Sequence, residues 1–375
     1  MKRVLFVVRG LGVGGIQRVT IDLAKGMKSL GHEVDILTFS DNAFYDVSEL
    51  SVIKFEYPLK SLLGVTIRVL NKFIPLLGCI LFNKLINNKF ENKIRELEKL
   101  NNTTYDHIYF CGFGVSSLTY KSFPEKSTFV FHNTKSQMLK LKSKRLYKFT
   151  RYLYKKVLSE MNSSIAVSDG IKKDLITEFS VPSKKIKVIY NPINYPLISR
   201  MANGPISSEF KPKEYFVYVG RLVKEKRLDI LIEGFLASKF QGDLLVFGEG
   251  PEKVKYDEYV KNNNIKNIKF MGKTDNPYSW MKNSKALILT SDFEGLPTVL
   301  IEALVSGTSV ISTDCPSGPK EILTGKLSHN LFPCGDVKSL AHKINDFVDD
   351  NNGFNVEVYD IVNVVNNYLS VFDKR

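Results

Sequence analysis

The chain has 375 residues, 43% hydrophobic and 25% charged, a length that calls for two cores and a composition that excludes disorder. Its net charge of +14 favours anionic partners, which leaves nucleic acid, an anionic membrane surface and phosphorylated substrates open. Four widely spaced cysteines, with no CxxC pair and no His at ligand spacing, fit a reduced, cytoplasmic protein.

Val4 to Val8 is a continuous apolar run that reads as a buried strand, and Arg9 cuts it too short for a signal peptide. No apolar segment approaches the roughly 20 residues that a spanning helix needs. A glycine loop follows, with Gly10, Gly12, Gly14 and Gly15, then a helical pattern from Ile16 to Leu30 and a strand from Glu33 to Phe39. Strand, glycine loop, helix, strand opens a doubly wound parallel sheet. The G-x-G-x-x-G match is a weak sign of dinucleotide binding, because Asp35 comes early in the second strand and Asp41 beyond it. Gly14 and Gly15 at a helix start suit either close approach of a phosphate or a tight βα turn.

Two stretches, 58–90 and 135–156, carry many Lys and Arg and no acid, interleaved with apolar and aromatic residues. They read as surfaces for anionic lipid headgroups or as solvated basic helix faces. Nucleic-acid binding has no recognised motif to accompany the charge. Between them, strands at His107 to Cys111, ahead of the loop Gly112 to Gly114, and at Phe129 to Phe131 lead to His132-Asn133. A His at the carboxyl end of a parallel strand is either structural or ligand-contacting. Strands at Ile165 to Val167 and Lys187 to Tyr190 follow, the latter ending in Asn191-Pro192.

From Pro196 to Pro212 the periodicity lapses and Ser, Asn, Gly and Pro accumulate, which marks a domain boundary. The pattern restarts with strands at Tyr215 to Val219, Leu244 to Phe247 and Asn267 to Phe270. Their turns hold Gly220-Arg221 with Lys224, Lys226 and Arg227, then Gly248-Glu249-Gly250-Pro251, then Met271-Gly272. Ala286 to Leu289 is a strand leading into SDFEGLPTVLIEAL, where seven residues separate Glu294 from Glu302. A helix beginning near Pro297 puts Glu302 inside it and leaves Glu294 in the loop before it. Its first turn turns N–H groups and a positive end toward an anion. A strand from Ser309 to Ser312, the segment Asp314 to Glu321 and an amphipathic helix over Val356 to Phe372 complete the chain.

In this order the motifs resemble the family 4 retaining glycosyltransferases of the GT-B fold, over nearly the whole chain. The resemblance rests on Gly14-Gly15, His132-Asn133, Asn191-Pro192, Gly220-Arg221 with Lys226, Gly248 to Pro251, and Glu294-x7-Glu302. It implies an α/β architecture of two Rossmann-like doubly wound parallel-sheet domains facing across a cleft. The expected domains are 1–197 on the acceptor side, a linker at 198–212, a nucleotide-sugar domain at 213–355, and a helix at 356–375 packing back on the first domain. The resemblance further implies a nucleoside diphosphate sugar donor, with uridine as the base, and a lipid-linked or growing surface-polysaccharide acceptor.

Cleavage of a sugar-diphosphate bond develops negative charge on the leaving phosphate, and with no Asp-x-Asp pair in the chain no metal or other cofactor is expected. Arg221 and Lys226 are then expected to clamp the diphosphate, as their counterparts do in the family. Glu302 would take the ribose, Glu294 the sugar hydroxyls, and His132 would lie near that sugar. Gly14, Gly15, Gly248, Met271, Gly295, Leu296, Thr298 and Val299 complete the expected donor contacts. Glu321, in Cys315 to Glu321, is a second-line sugar contact, and Ser317-Gly318 stands where many relatives have two glycines. No carboxylate suits a two-step mechanism, so front-face departure and attack is preferred. The expected location is cytoplasmic, peripheral on the inner face of the cell membrane through segments 58–90 and 135–156, with no nucleic-acid partner. The rivals are a GT-B nucleotide-sugar epimerase, a nicotinamide oxidoreductase and a non-catalytic GT-B partner subunit.

Overall fold

The computed structural model describes residues 1–375 apart from 13, 41–42, 56–61, 75, 114–116, 118, 143–145, 352 and 372–375. Two units emerge, Met1–Pro192 with Ile361–Arg375, and Ile193–Asp360.

The first unit is built on seven parallel strands: β1 (Arg3–Val8), β2 (Glu33–Thr38), β3 (Ser51–Lys54), β4 (His107–Cys111), β5 (Ser127–Phe131), β6 (Ser164–Ala166) and β7 (Ile186–Val188). Their order is β3-β2-β1-β4-β5-β6-β7, so the direction of winding reverses between β1 and β4. Val4 to Val8 are at most 1% exposed. A strand covered on both faces has no polar side to alternate with, which is why the sequence runs apolar without a break. Asp35 on β2 takes Arg3 at 3.0 Å and the Tyr105 hydroxyl at 2.7 Å, so its carboxylate is engaged within the sheet.

The helix Ile361–Leu369 belongs to this unit. It buries Val364, Val365 and Tyr368, and the Tyr109 hydroxyl on β4 donates to the Tyr368 carbonyl at 2.6 Å. It packs against the helix Gly15–Ser29, where a Cβ on Gly26 would stand 2.7 Å from Ile361 Cγ1. Gly26 is therefore a contact point between the helices.

The second unit holds six parallel strands, β8 (Tyr215–Val219), β9 (Asp243–Phe247), β10 (Ile268–Gly272), β11 (Leu287–Leu289), β12 (Val310–Thr313) and β13 (Leu331–Phe332), in the order β10-β9-β8-β11-β12-β13. Winding reverses between β8 and β11, the kind of switch point outside which open α/β sheets bind ligands. Phe216, Leu244, Ile288, Ile311 and Leu340 are 0% exposed in its core. The segment read from sequence as linker begins inside a helix, Tyr195–Ala202. Its start is capped by the Asn194 side chain, accepting from Leu197 N at 3.1 Å, and Pro196 occupies the first turn, where its missing N–H costs nothing. Among the described residues no helix is long and apolar enough to cross a membrane.

Candidate active site

In the second unit the loops after β8, β9 and β10 lie in layers. Gly220 N donates to Phe247 O at 3.0 Å, and Gly248 N donates to Gly272 O at 2.8 Å. Gly248 has φ +139°, and a Cβ there would stand 1.8 Å from Gly220 O; one on Gly250 would stand 2.2 Å from Leu222 O. Only glycine lets these backbones approach so closely. Met271, half-buried, is the next-to-last residue of β10. Arg221 is exposed, and its guanidinium has no hydrogen-bond or ion-pair partner among the described residues.

The turn Lys224–Lys226 is fixed from below. Thr290 Oγ1, at the end of β11, donates to Lys226 O at 2.8 Å. Arg227, in the left-handed region at φ +50°, forks onto Asp229 at 2.7 to 3.1 Å and reaches Asp292 at 2.9 Å. Donating to the Asp229 carboxylate pushes the Arg227 guanidinium above its ordinary range. This scaffold aims Lys226 at Glu294: the ammonium donates to Glu294 Oε1, and Ser291 Oγ donates to the same oxygen at 2.6 Å. Their side chains are 16% and 12% exposed. Sequence reading passed over Asp229 and Asp292; the signal was an Arg and an Asp two residues apart beside a basic turn.

The helix after this loop is Thr298–Val305, with Pro297 at its cap position and no side chain capping its start. Thr298 and Val299 are half-buried in its first turn, and Glu302 is the fifth residue, also half-buried. Gly295 and Leu296, in the approach to the helix, are buried. Ser317 Oγ donates to Gly295 O at 2.7 Å, which ties the Cys315 to Glu321 loop to this approach. Both Ser317, at φ +74°, and Gly318, at φ +95°, are left-handed, and a Cβ on Gly318 would stand 2.3 Å from Pro297 Cδ. Ser thus serves at 317, whereas 318 requires glycine. Glu321 Oε1 accepts from Gly318 N at 3.3 Å, within its own loop.

In the first unit, Gly14 and Gly15 follow β1, and Gly14 N is 3.4 Å from the Tyr45 hydroxyl. A Cβ on Gly15 would meet nothing within 4 Å, so packing within the chain does not demand a glycine there. His132 follows β5 and is 8% exposed, with no partner for Nε2 among the described residues. Burial pushes its imidazole down to about 3; the Lys135 charge adds to this and the Asn191 amide opposes it. The ring is neutral near pH 7.

The basic stretches divide. Lys135 is 6% exposed, over the rings of Phe113 at 5.1 Å and Phe131 at 5.9 Å, and so belongs to the interior. Asp174 accepts from Lys135 N at 2.7 Å and Ser136 N at 3.2 Å, capping the helix Lys135–Lys142. On the helix Tyr147–Ser159, Lys148, Lys155 and Lys156 are exposed alongside Phe149 and Tyr152, the latter 63% exposed. The helix Leu62–Phe73 exposes Arg68 and Lys72 with Val65, Val69 and Phe73, the last 71% exposed. Lys60, Gly114, Lys144 and Arg145 lie outside the described residues. Among the described residues no three His, Cys, Asp or Glu side chains group as metal ligands.

Two parallel-sheet Rossmann-like domains, the second with glycine-tight loops and an Arg, Lys and Glu set at its strand ends, define a GT-B glycosyltransferase architecture. The family model described as Glycosyltransferase Family 4 matches residues 13–195, and the one described as Glycosyl transferases group 1 matches residues 202–358. The chain belongs to the family 4 glycosyltransferases. In fold it is similar to S. aureus TarM in complex with Fondaparinux, alpha-GlcNAc-glycerol and UDP, with a TM-score of 0.72 at 15% identity over 100% of both chains. It is 26% identical over 325 residues to the Campylobacter jejuni N-acetylgalactosamine-N,N'-diacetylbacillosaminyl-diphospho-undecaprenol 4-alpha-N-acetylgalactosaminyltransferase, covering 86% of this chain and 83% of that one. It is 32% identical over 191 residues to the lipopolysaccharide 1,6-galactosyltransferase of Escherichia coli, covering 49% of this chain and 52% of that one. The chain thus spans about half the length of this curated relative.

Proposed function

We propose that this chain transfers a sugar from a nucleoside diphosphate sugar, with UDP as carrier, to a lipid-linked or growing surface-polysaccharide acceptor, with retention and without a metal ion. The observation that carries the reading is the Lys226–Glu294 pair, braced by Thr290, Arg227 and Ser291 ahead of an uncapped helix start. A cation beside a carboxylate suits a ligand that is anionic at one end and hydroxylated at the other. Arg221 and Lys226 neutralise the diphosphate, the first as a planar fork and the second as a point charge. The first-turn amides near Thr298 and Val299 add donors. Glu294 accepts from sugar hydroxyls and Glu302 from the ribose. Gly248, Met271, Gly295 and Leu296 shape the nucleotide's surroundings. Gly15 leaves space for the donor's approach, with Gly14 beside it in the same turn, and His132, being neutral, meets the sugar by a hydrogen bond.

In the front-face step the bond between the anomeric carbon and the diphosphate oxygen breaks and the acceptor oxygen bonds to the same face. The acceptor proton passes to the departing phosphate, so UDP and the extended acceptor leave with no co-reactant needed. The UDP in the TarM structure and the undecaprenol in the name of the Campylobacter relative support this donor and acceptor class. The exposed basic and apolar faces at 58–90 and 135–156 support a cytoplasmic protein held peripherally on the inner face of the membrane, among anionic headgroups. The relatives named above are transferases, which favours this reading over the epimerase. The test is nucleoside diphosphate release across a panel of nucleotide sugars. Wild type releases UDP from one of them and Glu294→Ala does not; equal release by both proteins would refute the assignment.

A further inference from the structure

An open cavity of about 620 Å³ in the Ile193–Asp360 unit lies where β8, β9 and β11 begin, at the edge of the sheet opposite the loops described above. Lys213, Lys239 and Lys285 line it, with one carboxylate, Glu214, and an apolar floor of Phe240 and Ile344. With Asp349 against Lys213 and Lys211 beside Glu214, Lys239 and Lys285 leave a charge of +2. The helices Leu228–Ala237 and Val337–Asn345 end at this cavity, and their carbonyl ends bring roughly half a negative charge each. The balance stays positive by about one unit.

The lysines are not all consumed by ion pairs. Lys213 reaches Asp349 at 3.3 Å, while the Glu214 carboxylate has Lys211 at 3.9 Å. Lys239 and Lys285 meet no carboxylate among the described residues. Lys285 Nζ stands 5.3 Å from the centre of the Phe240 ring, which is itself packed edge-on against Phe216 at 4.8 Å. The turn beneath is tight: a Cβ on Gly242 would lie 2.0 Å from Glu214 O and 2.7 Å from the Phe240 ring. Asn345 Oδ1 accepts from Lys239 N at 2.7 Å, which leaves the Asn345 amide as a further donor at the rim.

We propose that this cavity binds a small phosphate monoester, the phosphate between Lys239 and Lys285 and a polar body over Phe240. Its volume falls in the range of about 300–1,000 Å³ typical of small-molecule sites. The site lies outside the proposed donor machinery and does not depend on it.

The test measures Tm with glucose 6-phosphate in Arg221→Ala protein, which removes one arm of the proposed diphosphate clamp. At a hundredfold excess over Kd, Tm should rise by about 5 °C. The rise should vanish when Lys239→Gln and Lys285→Gln are added and shrink with Lys239→Gln alone, an exposed position whose change leaves the fold intact. Glucose should give no shift, and phosphatidic acid vesicles none without the soluble ligand. An equal rise in the lysine variants, no rise in Arg221→Ala protein, or a response to vesicles alone would overturn the proposal. UDP release by Lys239→Gln/Lys285→Gln protein should remain at the wild-type rate, so failure of this site is separate from failure of the donor site.

Discussion

For a diphosphate to engage Lys226, the ammonium must leave or share Glu294, whose carboxylate Ser291 also holds. Removing one partner strands the other's charge in a poorly solvated place. Glu294→Ala should therefore lower stability by roughly 3 kcal/mol, and adding Lys226→Ala should restore part of the loss in urea unfolding. Each single substitution should cost about 10²–10³ in kcat, because a positioned charge is lost where charge develops. A double variant no more stable than Glu294→Ala would show that the pair is not coupled.

His132 makes a second prediction, through pH. Its pKa falls from the ordinary 6.5 to about 3 on folding, so the unfolded chain binds the proton more readily between those values. The stability from burying the neutral ring is present above pH 6.5 and drains as pH falls toward 3, by about 2 kcal/mol at pH 5. Urea midpoints at pH 7 and pH 5 should differ less in His132→Asn than in wild type. Equal pH slopes would contradict a buried, neutral His132.

The glycines separate into two kinds, and the elements around them show why. Gly26 meets Ile361 at 2.7 Å, whereas Gly15 meets nothing within 4 Å. Gly26→Leu should loosen the helix Ile361–Leu369 and cost about 1–3 kcal/mol, measured by thermal unfolding. Gly15→Ala should leave Tm unchanged while raising the KM for donor, if the space is kept for a ligand. The same contrast marks what could be read from sequence. β1, β4 and β8 were legible because strands covered on both faces run apolar. β3 was not, since Ser51 and Lys54 at the sheet edge are exposed and little burial shaped the pattern. The helix Tyr195–Ala202 was hidden because Pro196 looked like a breaker, although Asn194 before it makes it a helix start. At the candidate site, Lys226 and Glu294 stood in two separate motifs, and only the family resemblance put both on one donor. Their contact depends on Arg227, Asp229 and Asp292, which meet across 65 residues of chain.

Taken whole, the chain pairs an excess of positive charge with apolar side chains on the outside of its first unit. Phe73, Leu81 and Tyr152 are each more than 60% exposed, and Arg68, Lys72, Lys148, Lys155 and Lys156 are exposed too. Each basic residue near an anionic surface contributes about 1 kcal/mol, so replacing Lys148, Lys155 and Lys156 by Glu should move the protein off anionic liposomes by a factor of at least about 100. Salt should have a like effect on wild type, and equal partitioning of both proteins would contradict membrane attachment through this face. The central claim is the transfer itself. It is tested most directly by NMR of the product formed from an α-configured UDP-sugar and a polyprenyl-diphosphate-linked glycan acceptor. The account predicts one α-linked sugar on the acceptor for each UDP released, and none with Glu294→Ala protein. A β-linked product, or UDP release with no sugar on any such acceptor, would contradict it.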